Sequence, residues 1–322
     1  MTDFSNRSAL VTGATSGLGM EAAAQLAEQG YGAVTITGRS DAKAETARRQ
    51  LVERTGRDVF TTLAVDVADL ASSRGAADEL VGRNGRFDTV ILNAGMVPAK
   101  LERSPDGIEQ AFAASIVGHH VLTEALAEAG QIDGASVVIV GSEAANDDLP
   151  KMMGFGIYDF AKGEPSPFGA TPAEAMRAFA TASGDVAYSG ERQYSTTKVF
   201  SAWWAAGMAR RHPNTRFYNV SPGANLGTDA ARHLTGATKI MMAVMGKIGR
   251  FVGMDQPVHK GAKRYLDVAH GVDGPYQNGS TYTSKPKRMT GSIVRRTEDH
   301  LVDTARQDLG LQIIDELTGV RV

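Results

Sequence analysis

The chain of 322 residues has no cysteine. Disulfides, thiolate metal sites and thiol nucleophiles are therefore excluded. Charge of one sign is not in excess either: 34 Lys and Arg stand against 36 Asp and Glu, a formal net charge of −2. Nothing in that balance points to nucleic acid or an anionic membrane surface as a partner. The seven histidines include no HxxxH pair, so no metal site is expected. Long apolar runs are missing too. No uncharged stretch approaches the roughly 20 residues that cross a bilayer, and the first residues hold no apolar signal core. A cytoplasmic protein with no membrane span is expected. What remains is an ordinary globular composition, 42% hydrophobic and 22% charged, enough for one large core or two small ones.

Apolar runs at 8–12, 33–37, 59–65, 89–93, 136–140 and 215–220 read as strands. Between them, residues 20–29, 42–54, 70–81, 108–129 and 193–211 carry helical periodicity. This alternation predicts an α/β protein with a doubly wound parallel sheet, the Rossmann fold. With no repeat, no low-complexity segment and no second alternation, one domain over residues 1–322 is expected. Two excursions break the rhythm. Residues 143–192 form a long insertion between the fifth strand and the helix at 193–211, carrying Pro150, Pro165, Pro167 and Pro172 and one helix near 172–182. It reads as a cover for a cleft or a subunit contact. Residues 224–257 read as a substrate lid and include a Met-rich run over 239–254. Met241, Met242 and Met245 suit a wall around an apolar substrate because methionine adapts to varied shapes; an ordinary packed helix is the competing reading.

Thr12-Gly-Ala-Thr-Ser-Gly-Leu-Gly19 ends the first strand and opens a helix. Gly13 permits the tight turn, Gly17 lets backbone approach a phosphate, and Gly19 allows close helix–strand packing. Ser16, Gly17 and Leu18 then lie at the helix N-terminus, where unpaired N–H groups receive a pyrophosphate. Glycine patterns end many strands; the strand–turn–helix context is what gives this one weight. The second strand ends in Thr37-Gly38-Arg39 with no Asp or Glu to grip a ribose 2′-hydroxyl. Arg39 is instead placed to pair with a 2′-phosphate, which favours NADP over NAD. The plainer reading is a solvated loop arginine.

Asn93-Ala94-Gly95 follows the fourth strand, and Tyr194-Ser-Thr-Thr-Lys198 opens the helix before the sixth. With the glycine turn, and in this order, these motifs resemble the short-chain dehydrogenase/reductase family over roughly residues 7–228, and again over 260–283 as a last helix and strand. The resemblance implies hydride transfer between a nicotinamide and a small-molecule carbonyl or alcohol. It implies that Asn93, Ala94 and Gly95 border the adenosine, that Asp66 and Val67 contact the adenine, and that Pro222 and Gly223 flank the nicotinamide. Thr228 stands for the threonine that follows. Ser142 would hydrogen-bond the reacting oxygen. The family's asparagine in the helix before the fifth strand is here Ser115, so a rearranged proton relay or weaker catalysis is expected. A homo-oligomer is also implied.

The chemistry explains the Tyr/Lys spacing. A free tyrosine, with a pKa near 10, is a poor proton partner at neutral pH. A lysine one turn along the same helix face stabilises the phenolate and can also hold the nicotinamide ribose. Tyr194 is then the acid/base and Lys198 its tuner. A second match, Tyr158-Asp-Phe-Ala-Lys162, lies nearer to Ser142. Gly-Glu-Pro-Ser-Pro follows it and stops any helix at once, so Tyr158 reads as a lid or pocket residue. His119 and His120 read as packing or surface residues. Two other functions share these motifs: a cofactor-binding sensor or scaffold without turnover, and reduction of an activated C=C bond.

Overall fold

The computed structural model describes residues 3–149, 155–164, 171–184, 187–225 and 255–320. They build an eight-stranded sheet in the order β3-β2-β1-β4-β5-β6-β7-β8. Strands β1 (Ser8–Val11), β2 (Ala33–Gly38), β3 (Phe60–Ala64), β4 (Thr89–Leu92), β5 (Ser136–Val140) and β6 (Arg216–Val220) stand where the apolar runs predicted them; β7 is Ser280–Ser284. Every neighbouring pair from β3 to β7 is parallel, with Val90 opposite Val137 in the centre. The central strands are apolar on both faces because helices cover both. Helices α1 (Gly17–Glu28), α2 (Asp41–Thr55) and α8 (Val258–His270) pack on one face, and α3 (Leu70–Gly82), α5 (Gly118–Glu128) and α7 (Gly190–Arg211) on the other.

Local chemistry sets the helix ends. Asp69 accepts from Ser72 N at 2.8 Å to start α3, and Gly56 ends α2 at φ +66°, a left-handed conformation that costs glycine nothing. In the insertion, Thr171 and Glu174 form a capping box on α6 (Pro172–Thr181), close to the helix expected at 172–182. The chain winds from β1 outward to β3, then returns to β4 on the other side of β1. Ligands of such sheets bind at this switch point, beyond the carboxyl ends of the strands. The glycine turn, Asn93, Ser142 and Pro222 all follow strands at that edge.

Two features differ from expectation. The helix over 108–129 is not continuous: a single turn, α4 (Gln110–Phe112), runs into a π-helical turn, Ala113–Val117, before α5. Residues 111–124 are buried almost all round, so there is no polar stripe whose rotation would reveal the extra residue. The sheet also gains an antiparallel edge, β8 (Ile293–Arg295), with Arg295 opposite Tyr282. Two C-terminal helices follow, α9 (Asp299–Val302) and α10 (Thr304–Thr318). Helix α10 lies against α7 at two glycines. A Cβ on Gly207 would stand 2.8 Å from Leu311 Cδ2, and one on Gly310 3.0 Å from Trp203. Among the described residues no helix is long and apolar enough to cross a membrane. Thr228 and the Met-rich run lie outside the described residues, which include only 224, 225 and 255–257 of the expected lid.

Candidate active site

The cofactor turn is shaped by missing side chains. Gly13 has φ +62° and Gly17 φ +56°, and a Cβ on Gly13 would lie 2.9 Å from Ala94 Cα. At Gly19 a Cβ would meet Asn93 Nδ2 and Gly13 O at 2.5 Å each. Asn93 in turn donates Nδ2 to Thr12 O (3.1 Å) and Gly13 O (3.3 Å), which binds the end of β4 to the turn. The first turn of α1 carries no acidic residue, so its positive end is not compensated from within. Asp66 Oδ1 accepts from Ala68 N, and Val67 O from Gly118 N, which shapes the turn after β3. Arg39 is exposed at the end of β2 and makes no ion pair among the described residues. A phosphorylated dinucleotide fits this donor set.

Ser142, Tyr194 and Lys198 come together at the ends of β5 and α7. The Ser142 side chain lies beside the Tyr194 phenol and acts on its ionisation. Lys198, 6% exposed, donates Nζ to Val140 O at 2.7 Å and lies 5.7 Å from the centre of the Tyr194 ring. Burial pulls the lysine down to about 8. The tyrosine does not follow the simple expectation of a phenol loosened by lysine. Burial pushes it upward, the neighbouring Ser142 side chain pulls it down, and the Glu143 carboxylate pushes it up again. The ammonium, turned to the Val140 carbonyl, does not offset that balance.

Ser115 sits in the π-helical turn at 4% exposure, and its Oγ has no hydrogen-bond partner. A Cβ on Gly95 would lie 3.1 Å from that oxygen and 4.0 Å from Lys198 Nζ, so the orphaned hydroxyl is close to the lysine. His119 was read as packing, and it is buried, but its ring also joins the site. Thr12 Oγ1 accepts from Asn93 N (2.9 Å) and Ala94 N (3.1 Å), which leaves its own proton for His119 Nε2 at 2.8 Å. His119 Nδ1 then donates to the Ser115 carbonyl at 3.0 Å. Burial, opposed by that carbonyl and reinforced by the Lys198 charge, lowers the ring to about 4.

A pH prediction follows from this ring. Between about 6.5 and 4 the unfolded chain binds the proton that folded His119 refuses, so its contribution is present above pH 6.5 and lost on acidification. The loss approaches about 3 kcal/mol. His270, also lowered to about 4 by burial, acts in the same window. Urea midpoints at pH 7, 5.5 and 4 measure it. His119→Gln should flatten the dependence, and a wild type equally stable at pH 6.5 and 4.5 would contradict the assignment.

Tyr158 and Lys162 do not share a helix face. A 3₁₀ turn, Phe160–Lys162, lies there, closed by Gly163 at φ +75°. Lys162 points to solvent beside Asp159. The Tyr158 ring is buried against Phe179 and under the Arg192 guanidinium, so it belongs to the core rather than to a lid or pocket. Sequence reasoning missed Glu143 and Arg264, a buried ion pair beside Ser142. Adjacency to Ser142 was the only available signal. His120, Glu124 and Asp315 place ligand atoms within 4.8 Å of one another. These donors are committed elsewhere. Trp204 Nε1 donates to His120 Nδ1 (3.0 Å), so the His120 proton is on Nε2 and goes to Asp315 (2.8 Å). Arg211 bridges Glu124 and Asp315.

Comparison with known proteins bears on the family and the fold. The family model for short chain dehydrogenases matches residues 7–162. A short-chain dehydrogenase/reductase of Armillaria gallica is 29% identical over 72% of this chain and 69% of its own length. A polyprenol dehydrogenase of Mus musculus is 33% identical over 42% of each chain. The crystal structure of an uncharacterized protein from Mycobacterium paratuberculosis, 20% identical, superposes with a TM-score of 0.69 over 99% of this chain and 96% of that one. The chain belongs to the short-chain dehydrogenase/reductase family of oxidoreductases.

Proposed function

We propose that the protein is a cytoplasmic, NADP(H)-dependent oxidoreductase acting on the carbonyl or hydroxyl group of an apolar small molecule. The observation that carries this reading is the Tyr194 phenol set beside the Ser142 side chain, with Lys198 one turn along α7 and 5.7 Å from the ring centre, at the edge where the glycine turn also lies. The α1 N-terminus would hold the pyrophosphate, Arg39 the 2′-phosphate, Asp66 and Val67 the adenine, and Lys198 the nicotinamide ribose. Pro222 and Gly223 would flank the ring, which when bound supplies or accepts the hydride. Ser142 donates to the reacting oxygen, and Tyr194 gives that oxygen its proton or removes it. Apolar character comes from Phe155, whose ring centre is 6.3 Å from that of Tyr194, and from exposed Met96, Val97 and Leu101. Pro98 O packs on Gly190, so this exposed segment runs past the start of α7. Similarity to a polyprenol dehydrogenase is in keeping with such a substrate.

NADPH oxidation with a panel of aldehydes, ketones and quinones tests the activity. NADPH binding without turnover of any compound would favour a cofactor sensor instead, a reading that the orphaned Ser115 hydroxyl supports. NADPH should bind at least about tenfold more tightly than NADH. Arg39→Ala should remove most of that preference, since one charge-assisted contact is worth about 1.5–3 kcal/mol. Preference for NADH would refute the role given to Arg39.

A further inference from the structure

Glu143 follows Ser142 directly and is 4% exposed. A carboxylate so buried needs full compensation. Its Oε1 accepts from Ser284 N (3.2 Å), Ser284 Oγ (2.9 Å) and Arg264 Nη1 (3.3 Å), and its Oε2 from Ser221 Oγ. Arg264, on α8 and 6% exposed, also donates to Ser221 O at 3.1 Å, Ser284 Oγ at 3.1 Å and Gly291 O at 2.7 Å. The Ser221 hydroxyl, having given its proton to Glu143, accepts from Gly223 N at 3.1 Å. An unbroken run of hydrogen bonds thus leads from the residue beside Ser142 to the backbone of Gly223. Gly223 has φ +75°, and a Cβ there would lie 2.5 Å from Gln256 Nε2 and 2.9 Å from Arg264 Nη1. Only glycine lets the turn close against the arginine.

We infer that Glu143 and Arg264 are positioning residues for hydride transfer, holding the Ser221–Gly223 turn in register with Ser142 and Tyr194. This rests on the function proposed above and names the device that aligns its two halves. A buried ion pair is a poor source of net stability compared with apolar packing. What this pair supplies is a fixed geometry between segments far apart in sequence. It also sets a charge near the Tyr194 phenol. The titratable and charged groups around it are the Glu143 carboxylate, the Tyr265 phenol and the Lys198 ammonium, the last 5.7 Å from the ring centre, with Arg264 behind the carboxylate. Removing the negative charge should let the phenol ionise more readily.

The test uses the full chain with NADPH and a carbonyl compound that the wild type reduces. Glu143→Gln should lower kcat about tenfold or more, and move the basic limb of the kcat profile to lower pH. Glu143→Asp keeps the charge but shortens the reach, so it should lose kcat with the limb unmoved. Arg264→Lys, unable to fork between Ser221 and Gly291, should behave like Glu143→Asp. A purely structural staple would lower thermal midpoints while leaving kcat and the pH profile of folded protein alone. Should all three variants keep kcat within about threefold of an active wild type, with the limb unmoved, the inference is overturned. A wild type that turns over nothing overturns the functional reading itself, and the inference with it, which is a different result.

Discussion

Tyr194→Phe should reduce turnover by about 10³-fold, with the Michaelis constant for the cofactor changed by less than about threefold. The phenol lies beside the Ser142 side chain, and in the proposed reaction it is the group that exchanges a proton with the reacting oxygen. Removing its hydroxyl deletes the proton transfer and leaves the glycine turn untouched. Burial and Glu143 hold the phenol up, so at neutral pH the protein carries the protonated form, which suits reduction. The oxidative direction should gain rate with rising pH until Lys198, lowered to about 8, gives up its charge. Tyr158→Phe is the control. Its ring lies in the core under Arg192, and activity should stay within about threefold of wild type. Steady-state rates of the two variants decide the matter. If Tyr194→Phe kept more than about a tenth of the activity, the phenol would not be the proton partner.

The parts of this site that could be read from sequence are those whose chemistry is local. Gly13, Gly17 and Gly19 are legible because a strand–turn–helix that excludes Cβ atoms needs glycine at set intervals. Tyr194 and Lys198 are legible because one helical turn separates them. Context also told this pair from Tyr158 and Lys162, since Gly163 and Pro165 stop a helix. What was not legible depends on contacts between distant segments. Glu143 and Arg264 meet across 121 positions of sequence, and no period relates them. His119 looks like packing until the fold brings Thr12 to one nitrogen and the Ser115 carbonyl to the other. The direction of the Tyr194 shift was misjudged for the same reason. Spacing shows that a lysine is near, whereas the sign depends on burial and on where the ammonium points. The antiparallel β8 and helix α10 follow no earlier alternation, and their place on the sheet edge and on α7 comes from packing alone.

The C-terminal helix carries the largest expected effect on stability. Arg211, at the end of α7, donates to Glu124 at 2.7 Å and to both carboxylate oxygens of Asp315 on α10. His212 and His120 complete the network. The side chains of Arg211, Glu124 and Asp315 are only 18%, 2% and 14% exposed, so solvent screens them weakly. These contacts hold both carboxyls down to about 2, against burial that would raise them. Their stabilisation is therefore present above the ordinary carboxylate range and lost as pH falls towards 2. Arg211→Met leaves two buried carboxylates without their cation and should cost about 3–5 kcal/mol at pH 7, measured by urea unfolding. Asp315→Leu alone should also destabilise. The double variant should lose less than the sum of the two, because both single changes break the same Arg211–Asp315 contact, while Glu124 keeps His212. Each variant, where folded, should keep its kcat, since the network touches neither Tyr194 nor the glycine turn. A loss below about 1 kcal/mol in Arg211→Met would mark the cluster as a solvated surface pair and leave the docking of α10 to Trp203, Gly207 and Leu311.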